Sequence, residues 1–290
     1  MSSVYSIENE KLKVSVQSAG AELTSIINKE NSLEYLWQAG AEWPKHAPVL
    51  FPIVGQLKDN KYRYNGNEYT LNRHGFARES EFEVFDQNAT SITFVLSSNA
   101  KTEVVYPFQF NFYVIYELEG STLHIHHKVE NDGEQTMFYS VGGHPAFNIP
   151  LVNGTSYNDY KLRFDQPVTA NRWLLDNGLI STESVPFLED QTMLELNKEL
   201  FMEDALVFKT VKAGSVTLKV PGSRNGFTME LNGCPYLGIW AAKNADFVCI
   251  EPWWGIADSV NASGDISQKE GICALEAEED AMHSYSIRFF

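Results

Sequence analysis

Apolar and polar residues alternate along much of the chain with the two-residue period of a strand that has one wet face. Residues 11–16 and 91–97 alternate cleanly, and the longer runs 110–118 and 122–129 are joined through Glu119-Gly120-Ser121. Period-2 alternation over such lengths predicts β-strands. Further strands are predicted at residues 136–141, 215–220, 236–240 and 247–250.

Turn signals separate these strands at short intervals. Asn65-Gly66 lies between residues 62–64 and 68–71 and predicts a hairpin. Helical patterns are few, with two or three turns predicted at residues 192–201 and one turn at residues 275–280. Many short strands with regular turns are typical of a sandwich or a barrel. The sequence therefore predicts one all-β domain over residues 1–290.

Composition and charge narrow the classes of partner. Aromatic residues make up 13% of the 290 residues, which suits pleated, half-buried surfaces. There are 22 Lys and Arg against 38 Asp and Glu, so the formal net charge is −16. Because this field repels phosphates and anionic lipids, we expect neither nucleic acid nor membrane as a partner. A neutral ligand is unaffected, whereas a phosphorylated one needs a local cluster of basic residues.

Cysteine usage and the N-terminal segment bear on the compartment. Cys234, Cys249 and Cys273 are odd in number and scattered, which does not predict a disulfide framework. The first residues show no basic region followed by an apolar one, and no apolar run approaches the ~18 residues of a membrane span. We therefore expect a cytoplasmic protein.

Three segments interrupt the strand pattern with residues suited to chemistry. Residues 71–78 contain a basic loop with His74 and Arg78, residues 140–148 place His144 among glycines and a proline, and residues 249–255 put Glu251 beside two tryptophans. Each has an ordinary interpretation: a turn histidine, a solvated strand-end carboxylate, or a surface ion pair of Arg78 with Glu79 or Glu81. The combination favours a sugar site, since acid–base groups lie beside rings that can stack on C–H faces.

A second histidine cluster, His124, His126 and His127, resembles a set of metal ligands. Histidines two apart on a strand can bind zinc. However, Leu123 and Ile125 form the inward set of this strand and leave His124 and His126 on its polar face. We therefore interpret these two histidines as solvent-facing residues and the three cysteines as packing residues.

Five segments in order resemble the aldose 1-epimerase (galactose mutarotase) family, in particular its LacX-like branch near the hexose-6-phosphate mutarotases. They are residues 48–56, 74–78, 143–148, 201–206 and 250–253. The resemblance implies a large antiparallel β-sandwich, the supersandwich, with the sugar in a groove on one concave sheet.

The resemblance also implies roles for individual residues. His144 would be the general acid and Glu251 the general base, while His74 and Asp204 would hold sugar hydroxyls and Arg78 would lie at or behind the site. Gln56 stands where galactose mutarotases carry a substrate-binding arginine. Lys45-His46 stands where the hexose-phosphate branch tends to carry arginines.

Inverting an anomeric centre requires that the ring open. A base removes the C1 hydroxyl proton, an acid protonates the ring oxygen, and the aldehyde rotates before the ring recloses on its other face. Ordinary pKa values of about 4.3 for Glu and about 6.5 for His would serve this chemistry. We therefore expect no metal or organic cofactor.

The predicted ligand is a small aldose, either a hexose or a hexose phosphate, and a neutral hexose is slightly favoured by Gln56. The predicted assembly is a monomer or a homodimer. Alternatives are a non-catalytic carbohydrate-binding protein, a hexose-6-phosphate mutarotase, a glycoside hydrolase using Asp204 with Glu251, and a metal-dependent sugar enzyme using the histidine strand.

Overall fold

Strands make up most of the computed structural model, which describes residues 2–220 and 222–290. The strands are β1 (Val4–Glu8), β2 (Leu12–Gln17), β3 (Glu22–Asn28), β4 (Leu33–Glu34), β5 (Val49–Leu50), β6 (Lys61–Tyr64), β7 (Asn67–Thr70), β8 (Glu83–Gln87), β9 (Ser91–Ser97), β10 (Phe110–Glu119), β11 (Thr122–Asn131), β12 (Met137–Tyr139), β13 (Val141–Gly143), β14 (Ala146–Asn148), β15 (Lys161–Asp176), β16 (Leu179–Glu195), β17 (Leu206–Lys209), β18 (Ser215–Lys219), β19 (Gly226–Glu230), β20 (Tyr236–Trp240), β21 (Phe247–Trp254), β22 (Cys273–Leu275) and β23 (Asp280–Phe289).

Helices are short in the described ranges. The α-helix α1 spans Ala100–Val105, and the 3₁₀ helices are Lys58–Asn60, Ala77–Glu79, Tyr157–Asp159, Lys198–Phe201 and Ile266–Gln268. Asn99 caps α1, because its side chain accepts the backbone N–H groups of Lys101 and Thr102. Within residues 2–220 and 222–290, no helix has the length and apolar character needed to span a membrane.

One large antiparallel sheet of 15 strands dominates the fold. Its strand order is β5-β13-β21-β20-β17-β15-β18-β19-β23-β11-β10-β9-β8, with β14 paired to β21 and β16 to β15. A four-stranded sheet, β1 to β4, packs against it: the rings of Tyr5 and Phe94 lie 5.7 Å apart, and the Tyr116 hydroxyl donates to the Ala21 carbonyl. The predicted antiparallel β-sandwich is confirmed.

The two predicted helices are wrong. Residues 192–195 instead complete the long strand β16, which pairs with β15 through Arg163 opposite Met193 and Leu162 opposite Leu194. Only residues 198–201 form a 3₁₀ turn after it. Residues 276–279 form the turn between β22 and β23, closed by the N–H of Glu279 on the carbonyl of Glu276. At residues 192–195 cross-strand pairing overrides the local helical spacing.

The histidine-rich strand β11 places its three histidines on two faces. His127 is buried between Phe112 and Tyr285, whereas His124 and His126 are half-buried on the outer face with parallel rings 6.2 Å apart. The Nε2 atoms of His124 and His126 lie 3.4 Å and 3.6 Å from the carboxylates of Glu119 and Glu117. This placement agrees with the predicted polar face for His124 and His126.

Replacing His124 and His126 together by Thr is expected to leave folding, and the anomerisation that the family resemblance implies, nearly unchanged. Thr suits a strand, and partly exposed pairs with carboxylates contribute little to stability. Thermal unfolding and the rate of anomerisation are the measurements. A loss of one bound metal ion per chain in the double variant would contradict the interpretation of this face as solvent-facing.

Candidate active site

The three chemically unusual segments meet at one pocket of about 360 Å³ beside four neighbouring strands of the large sheet. His144 follows β13, Glu251 lies within β21, Trp240 ends β20, and Asp204 precedes β17. The residues that line the pocket are Trp43, Gly55, Arg73, His74, Arg78, His144, Leu175, Gly178, Ile180, Asp204, Ala205, Val207, Trp240, Glu251, Trp253, Ile256 and Ala257. All five predicted site residues are therefore brought together.

Glu251 is held from its own strand. Side chains of β21 alternate, so Cys249, Glu251 and Trp253 share a face, and the Trp253 Nε1–H donates to Glu251 Oε2 over 3.2 Å. The indole fits only because both flanking strands carry glycine beside it. A Cβ on Gly142 would lie 2.7 Å, and one on Gly238 2.4 Å, from its ring atoms.

His144 contacts Glu251 directly, with its Nε2 3.3 Å from Glu251 Oε2. The imidazole stacks on Trp43 at a centroid distance of 5.1 Å and meets the edge of Trp240 at 5.6 Å. Its backbone N–H donates to the Pro48 carbonyl. The predicted acid and base are thus enclosed by aromatic rings on one side and open to the pocket on the other.

Burial shifts both members of this pair away from their ordinary pKa values. Burial, with smaller contributions from the positive charges of Arg73 and Arg78, lowers the pKa of His144 to about 3. It raises the pKa of Glu251 well above its usual range; the charge of Asp204 adds to this rise, and the Trp253 hydrogen bond opposes it. The expectation of ordinary pKa values is therefore wrong, because desolvation penalises each charged form.

His74 presents a hydrogen-bond donor to the pocket. The ring Nδ1 of His74 accepts the backbone N–H of Gly55 over 3.1 Å. The backbone N–H of His74 donates to the Gly55 carbonyl over 2.8 Å. Burial, followed by the charges of His144, Arg73 and Arg78, keeps its pKa well below the usual value. The ring is therefore neutral, with its proton on Nε2.

Two arginines and an aspartate complete the polar lining. Arg78 Nη2 donates to the Arg73 carbonyl over 2.9 Å, and Arg78 Nε lies 3.8 Å from the Glu79 carboxylate, so Arg78 also supports the backbone of Arg73. Arg73 is exposed at the pocket rim. Asp204 has a positive φ of 128°, and its Oδ1 accepts the N–H of Ala205. Lys45, which stands where the hexose-phosphate branch tends to carry arginines, does not line the pocket.

A buried ion pair fixes the walls of the pocket behind its lining. Asp258 Oδ1 accepts from Lys269 Nζ over 2.9 Å, and Asp258 Oδ2 accepts the N–H of Lys58 over 3.0 Å. The Asp258 backbone donates to the Gln56 carbonyl and accepts from the Ile180 N–H, each over 2.8 Å. Asp258 therefore joins the loop at Gly55, the loop at residues 256–257 and the tip of the β15–β16 hairpin.

Several lining residues were not predicted from the sequence. Trp43 and Trp240 hold the imidazole, and the β15–β16 hairpin adds Leu175, Gly178 and Ile180 as an apolar wall. A signal for Trp240 was present in the sequence, since this large aromatic ends the strand predicted at residues 236–240. The hairpin tip carried the turn pair Asn177-Gly178. Gln56 lies behind Gly178, because a Cβ on that glycine would meet Gln56 Oε1 at 2.7 Å.

One group in the described ranges has ligand atoms suited to a metal ion. The imidazole of His144, the thiol of Cys249 and the carboxylate of Glu251 offer ligand atoms within 4.8 Å of one another. Two of these three residues are the predicted acid and base.

Comparison with known proteins places this site in a family. A model of the aldose 1-epimerase family matches residues 3–272. The plasmid form of protein LacX from Lactococcus lactis subsp. lactis is 36% identical over 292 residues, covering 97% of each chain.

Two solved structures extend the comparison. A galactose mutarotase related enzyme from Lactobacillus acidophilus is 36% identical with a TM-score of 0.95, covering 100% of this chain and 97% of that one. A galactose mutarotase-like protein from Lactobacillus casei ATCC 334 is 29% identical with a TM-score of 0.92, covering 99% and 100%. The resemblance seen in the sequence motifs is confirmed, and the chain belongs to the aldose 1-epimerase family.

Proposed function

We propose that this protein interconverts the α and β anomers of an aldohexose by opening and reclosing its ring. The observation that carries the proposal is the buried contact of 3.3 Å between His144 Nε2 and Glu251 Oε2, at the wall of a pocket rich in aromatic rings. The pocket volume of about 360 Å³ is near the lower end of small-molecule sites, which run from about 300 to 1,000 Å³. It therefore suits a single sugar ring.

The shifted pKa values determine how many protons His144 and Glu251 hold near neutral pH. Near neutral pH, His144 and Glu251 together hold one proton, because burial favours the arrangement in which neither is charged. The reactive arrangement has this proton on His144 and an ionised Glu251. The contact between the two side chains is the route along which the proton passes from one arrangement to the other.

Ring opening then follows from this reactive arrangement. Glu251 accepts the C1 hydroxyl proton, His144 donates its proton to the ring oxygen, and the C1–O5 bond breaks to give the aldehyde. Afterwards Glu251 is protonated and His144 is neutral, which is the distribution that burial favours. The protonation state that burial favours is therefore the one that accompanies the open-chain intermediate. Rotation about C1–C2 and reversal of both transfers close the ring on its other face and restore the pair.

The remaining polar groups hold the sugar during this rotation. The Nε2–H of His74 donates to a hydroxyl, and the Asp204 carboxylate accepts from one. Arg78 lies at the pocket wall and orients Arg73 through the Arg73 carbonyl. The rings of Trp43, Trp240 and Trp253 pack against C–H faces of the sugar. All these roles are met by side chains, so the proposal involves no cofactor.

The proposal is tested by following freshly dissolved α-glucose and α-galactose by polarimetry or NMR, with no added metal or nucleotide. Purified protein is expected to accelerate the approach to anomeric equilibrium in proportion to its concentration. A relaxation at the buffer rate for every hexose and hexose phosphate tried, together with measurable sugar binding, would support a non-catalytic carbohydrate-binding protein instead.

Hexose phosphates form a second candidate substrate class, because Arg73 and Arg78 both line the pocket. A neutral hexose remains favoured. One Arg78 nitrogen already bonds to backbone, Lys45 lies elsewhere, and the net charge of −16 repels anions. We expect kcat/KM for glucose 6-phosphate to be no larger than kcat/KM for glucose.

The ratio of these two kcat/KM values is measured at low and high salt, with Arg73→Gln as the matched variant. Nearby charges decide the result, since charges beyond about 8 Å are largely screened at physiological salt. A ratio well above one that falls with salt and with Arg73→Gln would contradict the preference for a neutral sugar.

A further inference from the structure

Cys249 lies next to the acid–base pair but has no part in the proposed chemistry. It is fully buried on the same face of β21 as Glu251, two residues away, and its main-chain partner across the ladder is Trp240. Burial, together with the charge of Glu251, raises the pKa of its thiol well above the usual range. In the metal-free protein, Cys249 is therefore a protonated thiol directly beside the reacting groups.

The imidazole, thiol and carboxylate of His144, Cys249 and Glu251 form a donor set that suits zinc. Zn²⁺ is bound in proteins by nitrogen, sulfur and oxygen at about 2.0–2.3 Å, which separates tetrahedral ligand atoms by about 3.5 Å. His144 Nε2 and Glu251 Oε2 are already 3.3 Å apart, and all three ligand atoms lie within 4.8 Å of one another. The largest of these separations therefore exceeds the tetrahedral spacing by at most about 1.3 Å, the difference between 4.8 Å and about 3.5 Å.

Access and charge also favour an ion at this place. His144 and Glu251 line the pocket, so the fourth coordination position faces the space that a sugar hydroxyl or water enters. A thiolate and a carboxylate balance the two charges of Zn²⁺, which limits the desolvation penalty of a buried ion. Asp204 adds negative charge at the same wall, whereas Arg73 and Arg78 oppose the ion.

We propose that Zn²⁺ binds between His144, Cys249 and Glu251 and inhibits the protein. Coordination uses a thiolate, a neutral imidazole and a carboxylate, so the protons of Cys249 and of the His144–Glu251 pair leave to solvent. The lone pairs of His144 and Glu251 are then bound to the ion, so neither residue can accept or transfer a proton. The inhibition rests on the proposed anomerisation, whereas the binding does not.

Binding is tested first on metal-free protein without any sugar. Calorimetric titration with Zn²⁺ is expected to show one ion per chain, and Co²⁺ is expected to give a near-ultraviolet thiolate charge-transfer band. Cys249→Ala should abolish both signals, and Cys249→Ser serves as a second variant if the alanine protein is destabilised. Thermal unfolding monitors the fold of each protein.

Two matched controls exclude other sites. Cys273→Ala removes the partly exposed thiol, and the double replacement of His124 and His126 by Thr removes the stacked histidines of β11. Both proteins should bind Zn²⁺ and show the Co²⁺ band as wild type does. Absence of binding to wild type, or binding that survives in Cys249→Ala and disappears in either control, would overturn the proposed site.

Inhibition is then measured as the ratio of each protein's anomerisation rates with and without equimolar Zn²⁺. The wild-type rate should fall by ~10²-fold or more, since positioned acid–base catalysis is worth that much, and should return with a chelator. The ratio for Cys249→Ala should stay near one. Binding without loss of rate would overturn the inhibition. Binding in a protein that never accelerates anomerisation would instead overturn the proposed function.

Discussion

Glu251→Gln is expected to lower kcat for anomerisation by ~10²–10⁴-fold while KM changes little. The amide keeps the shape of the side chain, and its oxygen still accepts the Trp253 Nε1–H, but it cannot take the C1 hydroxyl proton. Progress curves at several glucose concentrations separate kcat from KM, and isothermal titration with glucose reports binding directly.

The matched control for this variant is Glu189→Gln, which makes the same chemical change at an exposed position of β16. It should retain the wild-type rate. Full activity of Glu251→Gln would show that Glu251 is an ordinary buried carboxyl. A rise in KM with kcat unchanged would show that it binds the sugar but does not transfer a proton.

His144→Asn is expected to cause a loss of similar size, because no group then protonates the ring oxygen as it leaves C1. Asn is smaller than His, so part of the packing against Trp43 and Trp240 is lost as well. The comparable substitution His124→Asn on the outer face of β11 should leave the rate unchanged. Wild-type turnover by a correctly folded His144→Asn protein would contradict the assignment of the acid.

The pH profile distinguishes this pair from a solvated histidine and carboxylate. The pair is active with one shared proton, gains a second only as pH falls towards about 3 and loses its proton only above the raised pKa of Glu251. The wild-type kcat should therefore show no inflection near the ordinary histidine value of about 6.5. An acid limb centred near that value would show that His144 is not desolvated during turnover.

Strands with strict alternation were predictable from the sequence. The alternating run at residues 91–97 coincides with β9, and the apolar run at residues 236–240 coincides with β20. The hairpin of β15 and β16 was not, because Pro167 and Pro186 lie within it and its register shifts interrupt the period.

Four of the five predicted site residues could be singled out because they lie in short segments of unusual composition, whereas Asp204 was implied only by the resemblance to the family. Their pKa values could not, because they depend on burial that arises only when distant segments pack together. Trp43 covers His144 from a loop 101 residues earlier in the chain, and Glu251 meets it from 107 residues later. Local sequence describes the reacting groups, whereas the packing of remote segments determines their charge.

The ion pair of Asp258 and Lys269 lies in a part of the pocket wall that bears on how fast a sugar enters and leaves the pocket. Because Asp258 joins three walls of the pocket through its backbone and its carboxylate, we expect these walls to be ordered before a sugar enters. A monosaccharide makes few contacts with the protein. If the loops are already ordered, the favourable binding free energy of these contacts does not have to offset an entropic cost of ordering them. Release then needs no opening of a loop, and this favours the rapid exchange that the proposed anomerisation of a spontaneously interconverting sugar requires.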